Sequence, residues 1–189
     1  MKILLACAVT FLVLLLARKA RGTKSDFLVI YFSWSGFTEA AAKVISQKTG
    51  GLLLELEPIK PYPEDYSDCV EQAKIEQSKQ AFPEIKDLKL PEPDQFGPVF
   101  LGYPNWWGSI PRPVASFLKK YSLDGRTVIP FCTHGGGGAG RSLMDLKILA
   151  PEADFKKPLV IRVNDVASLP RKIEKLLLDE RLITVSSGT

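Results

Sequence analysis

Residues 27–42 read FLVIYFSWSGFTEAAA and carry the pattern from which the fold is predicted. Residues 27–32 form a short apolar run rich in β-branched and aromatic residues, which predicts a buried strand. The alanines of residues 39–42 favour a helix. Between these segments, residues 33–38 contain three hydroxyl side chains and one glycine. The sequence therefore predicts a strand, a tight loop and a helix in direct succession.

A hydroxyl-rich loop that opens a helix is suited to bind a phosphate monoester. The first backbone N–H groups of a helix have no partner within it, and the positive end of the helix dipole attracts anions. The spacing alone leaves a second interpretation open, in which Thr38 only caps the helix and the two serines only form a turn.

The rest of the chain continues the alternation and predicts an α/β domain with a parallel sheet. Five strands are predicted, at residues 27–32, 52–56, 98–101, 128–132 and 159–163. Ligands of such sheets bind where the carboxyl ends of the strands meet. The candidate segments are therefore the three that follow strands and have unusual composition: loop 1 (residues 33–38), loop 2 (residues 102–113) and loop 3 (residues 133–142).

Loop 2 reads GYPNWWGSIPRP and predicts a flat ligand. Two adjacent tryptophans between prolines present a large aromatic surface on a stiff loop, and the glycines allow close approach of the backbone. One tryptophan of the pair is expected to pack into the core beneath Val114 and Phe117.

Loop 3, THGGGGAGRS, matches several glycine-rich templates. A P-loop requires lysine where Arg141 stands, and dinucleotide-binding folds place this turn after the first strand. Esterase oxyanion holes share the HGGG run, but the chain has no G-x-S-x-G. A nucleotide-binding module that uses loop 3 stays open as an alternative. His134, the only histidine, is either a proton donor to a bound ligand or a partner of the backbone.

The three loops together resemble the flavodoxin-like FMN-binding proteins. Their first loop reads S/T-x-S/T-G-x-T, and here Phe37 stands where asparagine is usual; a G-Y-P-x-W-W-G run is characteristic of a short-chain subgroup. The resemblance covers about residues 26–180. It implies a three-layer α/β sandwich with a five-stranded parallel sheet of order 2-1-3-4-5. The candidate FMN-binding residues are Ser33, Trp34, Ser35, Gly36, Phe37, Thr38, Pro104, Asn105, Trp106, Trp107, Gly108, Thr133, His134, Gly135 and Gly136.

The function that the resemblance implies is electron transfer or oxidoreduction through bound FMN. An alternative with the same cofactor is an FMN-dependent NAD(P)H:quinone-type reductase of a small molecule. The expected partners are redox donor and acceptor proteins, or a small molecule such as a quinone. No catalytic side chain and no metal ligand is predicted.

The composition predicts one globular domain that does not bind nucleic acid. The chain has 189 residues, of which 46% are hydrophobic and 24% charged. Its net charge of +4 comes from residues 1–24, which hold five Lys/Arg and no acid; the remainder has 20 basic and 21 acidic residues. Three widely spaced cysteines and one histidine exclude a disulfide framework and a multi-histidine metal site. Cys132 is expected to be a buried small residue.

Residues 1–24 are expected to form a membrane anchor that precedes an FMN-binding domain at residues 25–189. Residues 3–17 carry no charge and are followed by a basic cluster, RKAR. As a helix this run would rise about 22 Å, against a bilayer core of about 30 Å. The basic cluster predicts that the domain stays cytoplasmic. The alternative is a signal peptide, cleaved near residues 20–22, whose removal leaves the domain exported.

Overall fold

The computed structural model describes residues 27–91 and 96–179, except for the side chains of residues 165–167. The segment predicted as an anchor or signal peptide, residues 1–24, lies outside the described residues. Of the helices that are described, none is long and apolar enough to span a bilayer.

The described chain alternates strands and helices. The strands are β1 (Leu28–Tyr31), β2 (Leu52–Glu55), β3 (Val99–Pro104), β4 (Thr127–His134), β5 (Asp154–Phe155) and β6 (Leu159–Arg162). The α-helices are α1 (Phe37–Thr49), α2 (Tyr66–Ser78), α3 (Arg112–Lys120), α4 (Ser142–Leu149) and α5 (Leu169–Asp179), and a short 3₁₀ helix (Val163–Ser168) precedes α5.

The sheet is parallel, with the order β2-β1-β3-β4-β5, and β6 also pairs with β4. β5 pairs with the start of β4 and β6 with its end, so two short strands share the fifth position. The predicted order 2-1-3-4-5 is confirmed. The predicted fifth strand is β6, whereas β5 has only two residues and is too short to show a periodicity. Pro158 lies between the two strands, and its missing N–H disfavours continuous pairing.

Helices cover both faces of the sheet, as expected for a three-layer sandwich. Val29 and Tyr31 of β1 pack in one apolar cluster with residues of α1 and α5, such as Ile45. Leu28 and Ile30 point to the other face, in a cluster that takes in residues of α2, α3 and α4. Since both faces are covered, β1 is buried throughout and lacks a polar alternation.

Two strand boundaries differ from the predictions in a way that concerns the candidate residues. β3 continues to Pro104 and β4 to His134, and the register pairs Pro104 with Thr133. These three candidate residues therefore belong to strands rather than to loops. Glycine at position 102 makes the extension possible, because a Cβ there would lie 2.0 Å from the ring of Phe131. β1 and β2 are each slightly shorter than predicted.

Candidate functional site

Loops 1, 2 and 3 meet on one side of the sheet, which we call the loop edge. They follow β1, β3 and β4, which are neighbours in the sheet. A hydrogen bond of 2.7 Å joins the hydroxyl of Thr38, at the start of α1, to that of Thr133, near the end of β4. Both side chains are buried. This contact links two loops that are 95 residues apart in the chain.

Loop 1 leaves the start of α1 open. Gly36 takes a left-handed conformation with φ of 82°, and its N–H donates to Ser33 Oγ at 3.1 Å. The Ser33 hydroxyl accepts this bond and keeps its own proton for another acceptor. Within the described ranges, no side chain caps the N-terminus of α1. The first amide N–H groups of that helix are therefore available to an anion, as the phosphate hypothesis requires.

Of the other side chains of loop 1, Trp34 is held by two contacts, whereas Ser35 and Phe37 are exposed. Trp34 donates from Nε1 to the carbonyl oxygen of Pro63 at 2.9 Å and lies against the ring of Tyr66. Ser35 is exposed, and Phe37 is 41% exposed. Phe37 thus presents an apolar surface beside the open helix end, where the resemblance predicts asparagine.

The two tryptophans of loop 2 have different environments. Trp106 packs edge-on against Phe32 and Tyr62, with ring centroids 5.2 Å and 4.9 Å away. It joins the cluster that contains Val114 and Phe117, so the expectation that one tryptophan packs into the core is confirmed for Trp106. Trp107 is 51% exposed, has a φ of 55° and donates from Nε1 to the carbonyl oxygen of Val70 on α2.

Asn105 and His134 bind the two backbone polar groups of one loop 3 residue, Gly138. Asn105 Nδ2 donates to the carbonyl oxygen of Gly138 at 2.6 Å, and the N–H of Gly138 donates to His134 Nδ1 at 3.0 Å. In this arrangement neutral His134 carries its ring proton on Nε2, which can donate to a ligand. Asn105 Oδ1 is buried and has no hydrogen-bond partner among the described residues. An acceptor of this kind calls for a donor that the described chain does not provide.

The glycines of loop 3 serve two purposes. Gly135 and Gly136 are exposed, and a Cβ at either would meet no atom within 4 Å. Gly140 instead presses on loop 2, where its Cβ would lie 2.2 Å from the carbonyl oxygen of Gly108. That carbonyl accepts the N–H of Arg141 at 2.7 Å. The N–H groups of Gly138 and Arg141 are thus already engaged, which leaves fewer donors for a P-loop type of phosphate site.

A charged contact behind loop 2 completes the junction between loops 2 and 3. Arg141 binds the carboxylate of Asp145 through Nε and Nη2, at 3.0 Å and 2.8 Å. Ser109 donates a very short hydrogen bond to the same carboxylate. Sequence reasoning did not predict Ser109 or Asp145 as parts of the site. The spacing of Arg141 and Asp145, four residues apart at a helix start, is the signal from which this pair could have been predicted.

Tyr62 is a second residue that sequence reasoning missed. Its ring packs edge-on against the ring of Trp106, with centroids 4.9 Å apart, and its hydroxyl donates to Glu76. Its only mark in the sequence is its position between Pro61 and Pro63. A tyrosine between two prolines indicates a stiff segment but does not show which ring it will contact.

The thiol nearest the loop edge is chemically inert. Cys132 is fully buried in β4, as expected, and burial raises the pKa of its thiol to about 12. Burial also raises the pKa of Cys69 to about 11. Both thiols therefore stay protonated at neutral pH, and neither is an activated nucleophile.

The predicted residues thus come together at one edge, apart from Trp107, whose side chain turns onto α2. The donors at the start of α1 suit a phosphate. The open glycines of loop 3, the half-buried ring of Trp106 and the unpartnered Asn105 Oδ1 suit a planar heterocycle with an N–H group. The donor set therefore fits FMN.

Comparisons with known proteins agree with this arrangement. The sequence profile of the flavodoxin family matches residues 26–173. A protein from Bacteroides eggerthii, provisionally assigned as a flavoprotein, is 32% identical with a TM-score of 0.72, over 85% of this chain and 99% of its own. A similar protein from Bacteroides uniformis is 27% identical, with a TM-score of 0.70 over 79% and 98% of the two chains.

A third solved structure, of a flavoprotein in complex with FMN from Lactobacillus acidophilus, is 22% identical with a TM-score of 0.60. It covers 77% of this chain and 98% of its own, and at this identity it supports the fold alone. No curated protein matches the chain. The profile match spans most of the sequence, and the chain belongs to the flavodoxin family.

Proposed function

We propose that this protein binds FMN at the loop edge and acts in electron transfer. The observation that carries the proposal is the uncapped start of α1 next to the buried, unpartnered Asn105 Oδ1. One group can bind a phosphate, the other a ring N–H. FMN joins these two features in one molecule, and a flavoprotein of the same fold from Lactobacillus acidophilus is known in complex with it.

In this proposal each loop has its own task. The backbone of loop 1, with the hydroxyls of Ser33 and Ser35, binds the phosphate. Trp106 and the glycines Gly135 and Gly136 border the ring, and His134 Nε2 offers a proton donor at its edge. Bound FMN supplies the one- and two-electron redox chemistry. The protein's residues orient the ring, keep water from its buried side and set the polarity around it.

The phosphate assignment predicts that the double variant Ser33→Ala, Ser35→Ala binds FMN at least about tenfold more weakly than the wild type, the loss expected from one or two hydrogen bonds to a charged group. The measurement is fluorescence quenching on titration with FMN and, as a control, with riboflavin, which lacks the phosphate. Riboflavin affinity should stay nearly unchanged. Equal losses for both ligands would contradict the assignment.

A carrier and a reductase can be distinguished by turnover. Because no catalytic side chain is predicted and the two described thiols, Cys69 and Cys132, are buried, we expect the FMN-loaded protein to show little steady-state oxidation of NADH or NADPH with a soluble quinone. It should, however, be reduced by dithionite and reoxidised by a protein acceptor such as cytochrome c. Sustained NAD(P)H-dependent quinone reduction would favour the reductase alternative instead.

We further propose that residues 3–17 anchor the protein in a membrane with its loop edge directed to water. The described chain starts at Phe27, next to the first residue of β1, and hence at the sheet edge opposite to loops 1, 2 and 3. An anchor joined there favours water-soluble redox partners. The protein should stay in carbonate-washed membranes and lose the domain to protease added from the cytoplasmic side. Recovery of the full-length chain in the soluble fraction would contradict the anchor.

A further inference from the structure

A cavity of about 270 Å³ lies between α2, α3 and α4. Loop 2 contributes Trp107, Ser109 and Arg112 to its lining and loop 3 contributes Arg141, but loop 1 and residues 133–136 contribute nothing. Of the candidate FMN-binding residues, the lining therefore includes Trp107 alone. Its volume is slightly below the usual range of cofactor sites and suits a small molecule.

The notable group in this cavity is Arg112, a cation that is only 8% exposed. It donates from Nε and Nη2 to the carbonyl oxygens of Ala81 and Gln80, and it lies over the ring of Phe82. These partners are all neutral. Among the described residues no carboxylate forms an ion pair with Arg112. Burial lowers the pKa of this guanidinium, and the more distant carboxylates of Asp145 and Glu76 offset that effect only in part.

The one acidic group in the lining is already neutralised. Asp145 accepts two hydrogen bonds from Arg141 and one from Ser109, so the charge of Arg141 already balances its negative charge. Arg141 also lines the cavity. Two arginines and one aspartate line the cavity, and this lining favours an anionic ligand. The Glu76 carboxylate, which also attracts Arg112, lies outside the lining and accepts hydrogen bonds from Tyr62 and Gln72.

A second, independent observation is the amide of Gln77. Its Oε1 is buried and has no hydrogen-bond partner in the part of the chain that the structure describes. Its Nε2 makes only a long bond of 3.5 Å, to the carbonyl oxygen of Ile110. This weakly held amide lines the same cavity as Arg112, where buried polar groups are ordinarily satisfied. It can reorient to donate to a bound anion.

The remaining walls are mostly apolar: Ile148 and Leu149 are aliphatic, and Trp107 and Phe82 are aromatic and 51% and 40% exposed. Because Nε and one N–H of Nη2 already donate to backbone carbonyls, the Nη1–Nη2 edge of Arg112 is the one that can bind a planar carboxylate through two parallel hydrogen bonds. Aromatic side chains pack well against a ring. From this combination we propose that the cavity between α2, α3 and α4 binds a small aromatic carboxylate, with its carboxylate on Arg112. The proposal does not depend on FMN.

The test is calorimetric titration of the full-length protein with sodium benzoate, without added flavin. We expect measurable binding of benzoate and none of benzylamine, which has a similar size and the opposite charge. Inorganic phosphate should bind at least about tenfold more weakly than benzoate, because it leaves the aromatic walls unfilled. Absence of benzoate binding, or equal affinity for either control compound, would overturn the proposal.

Two arginine substitutions test whether benzoate binds at Arg112. Arg112→Met should weaken benzoate at least about tenfold, as expected when a charged hydrogen bond is lost. Arg126→Met is the matched control, since Arg126 also donates to a carbonyl and lies 4.8 Å over a phenylalanine ring, but outside the cavity. It should leave the affinity unchanged. Equal losses in both variants would indicate a general structural effect and overturn the assignment.

Arg112 also holds the end of α2, so its variant can fail to fold. Gln77→Leu covers that case, because the amide makes a single long bond and its replacement should cost little stability. Circular dichroism would verify the fold of this variant. Its affinity for benzoate should fall at least about threefold, which is the loss of one weak hydrogen bond. An unchanged affinity in folded Gln77→Leu protein would contradict the proposed site.

Discussion

Gly140→Ala should separate loop 3 from loop 2 and lower both the stability and the FMN affinity of the protein. The new Cβ would lie 2.2 Å from the carbonyl oxygen of Gly108, which is backbone and cannot rotate away. The φ of 53° adds the strain of a left-handed alanine. Together we expect a decrease in the free energy of unfolding of about 3 kcal/mol.

The matched control for this variant is Gly138→Ala. Gly138 has a φ of 63°, close to that of Gly140, but no atom lies within 4 Å of its Cβ position. In this variant only the strain of the left-handed conformation should lower the free energy of unfolding, by about 1 kcal/mol. Urea unfolding of the two variants therefore separates the steric clash from backbone strain.

The effect on FMN follows from the same displacement. When loop 2 shifts, Asn105 and Trp106 shift with it, and the FMN dissociation constant of Gly140→Ala should rise at least about tenfold, equivalent to about 1.4 kcal/mol. Equal stability of the two glycine variants would show that loops 2 and 3 are not closely packed. An FMN affinity equal to that of the wild type would show that their junction does not shape the ligand site.

Trp106→Ala and Trp107→Ala should differ sharply, although the residues are adjacent. Trp106 packs edge-on against two aromatic rings in the core, and its loss should lower the free energy of unfolding by about 3 kcal/mol. Trp107 is half exposed and makes one indole hydrogen bond and one cation–π contact with Lys74. Its loss should cost about 1 kcal/mol.

FMN titration of the same two variants tests the aromatic surface of loop 2. Trp107→Ala is expected to loosen FMN while it leaves the fold nearly intact, so any change in affinity can be read without a stability correction. The FMN-bound variant should also show shifted reduction potentials. FMN affinity that is unchanged in both variants would refute a role of these rings in ligand binding. Equal loss of stability in both would contradict their different burial.

Much of the fold could be predicted from local patterns. β1 is a short apolar run before a glycine loop, and α3 and α5 show apolar residues at helical spacing, so their existence was clear from the sequence. β5 could not be predicted from the sequence, because a strand of two residues shows no hydrophobic periodicity. It is defined by its pairing with Thr127 and Val128 of β4. The extension of β3 to Pro104 likewise depends on the partner strand β4.

The candidate site, too, could be predicted from the sequence only in part. The residue types of loops 1, 2 and 3 and their positions after strands were visible in the sequence, since the ends of parallel strands lie at one edge by geometry. The separate roles of Trp106 and Trp107 were not visible, because burial is decided by contacts with Phe32 and Tyr62, which are distant in the chain.

The sequence by itself determined the alternation of strands and helices and the chemistry of the loops, because both follow from neighbouring residues. Which distant groups meet, and which buried groups lack partners, depends on the tertiary structure. Thr38 meets Thr133 across 95 residues, Asn105 Oδ1 has no partner in the part of the chain that the structure describes, and buried Arg112 donates to backbone carbonyls. The physical reason is that satisfaction of a buried polar group depends on every element packed around it, and no local pattern encodes those distances.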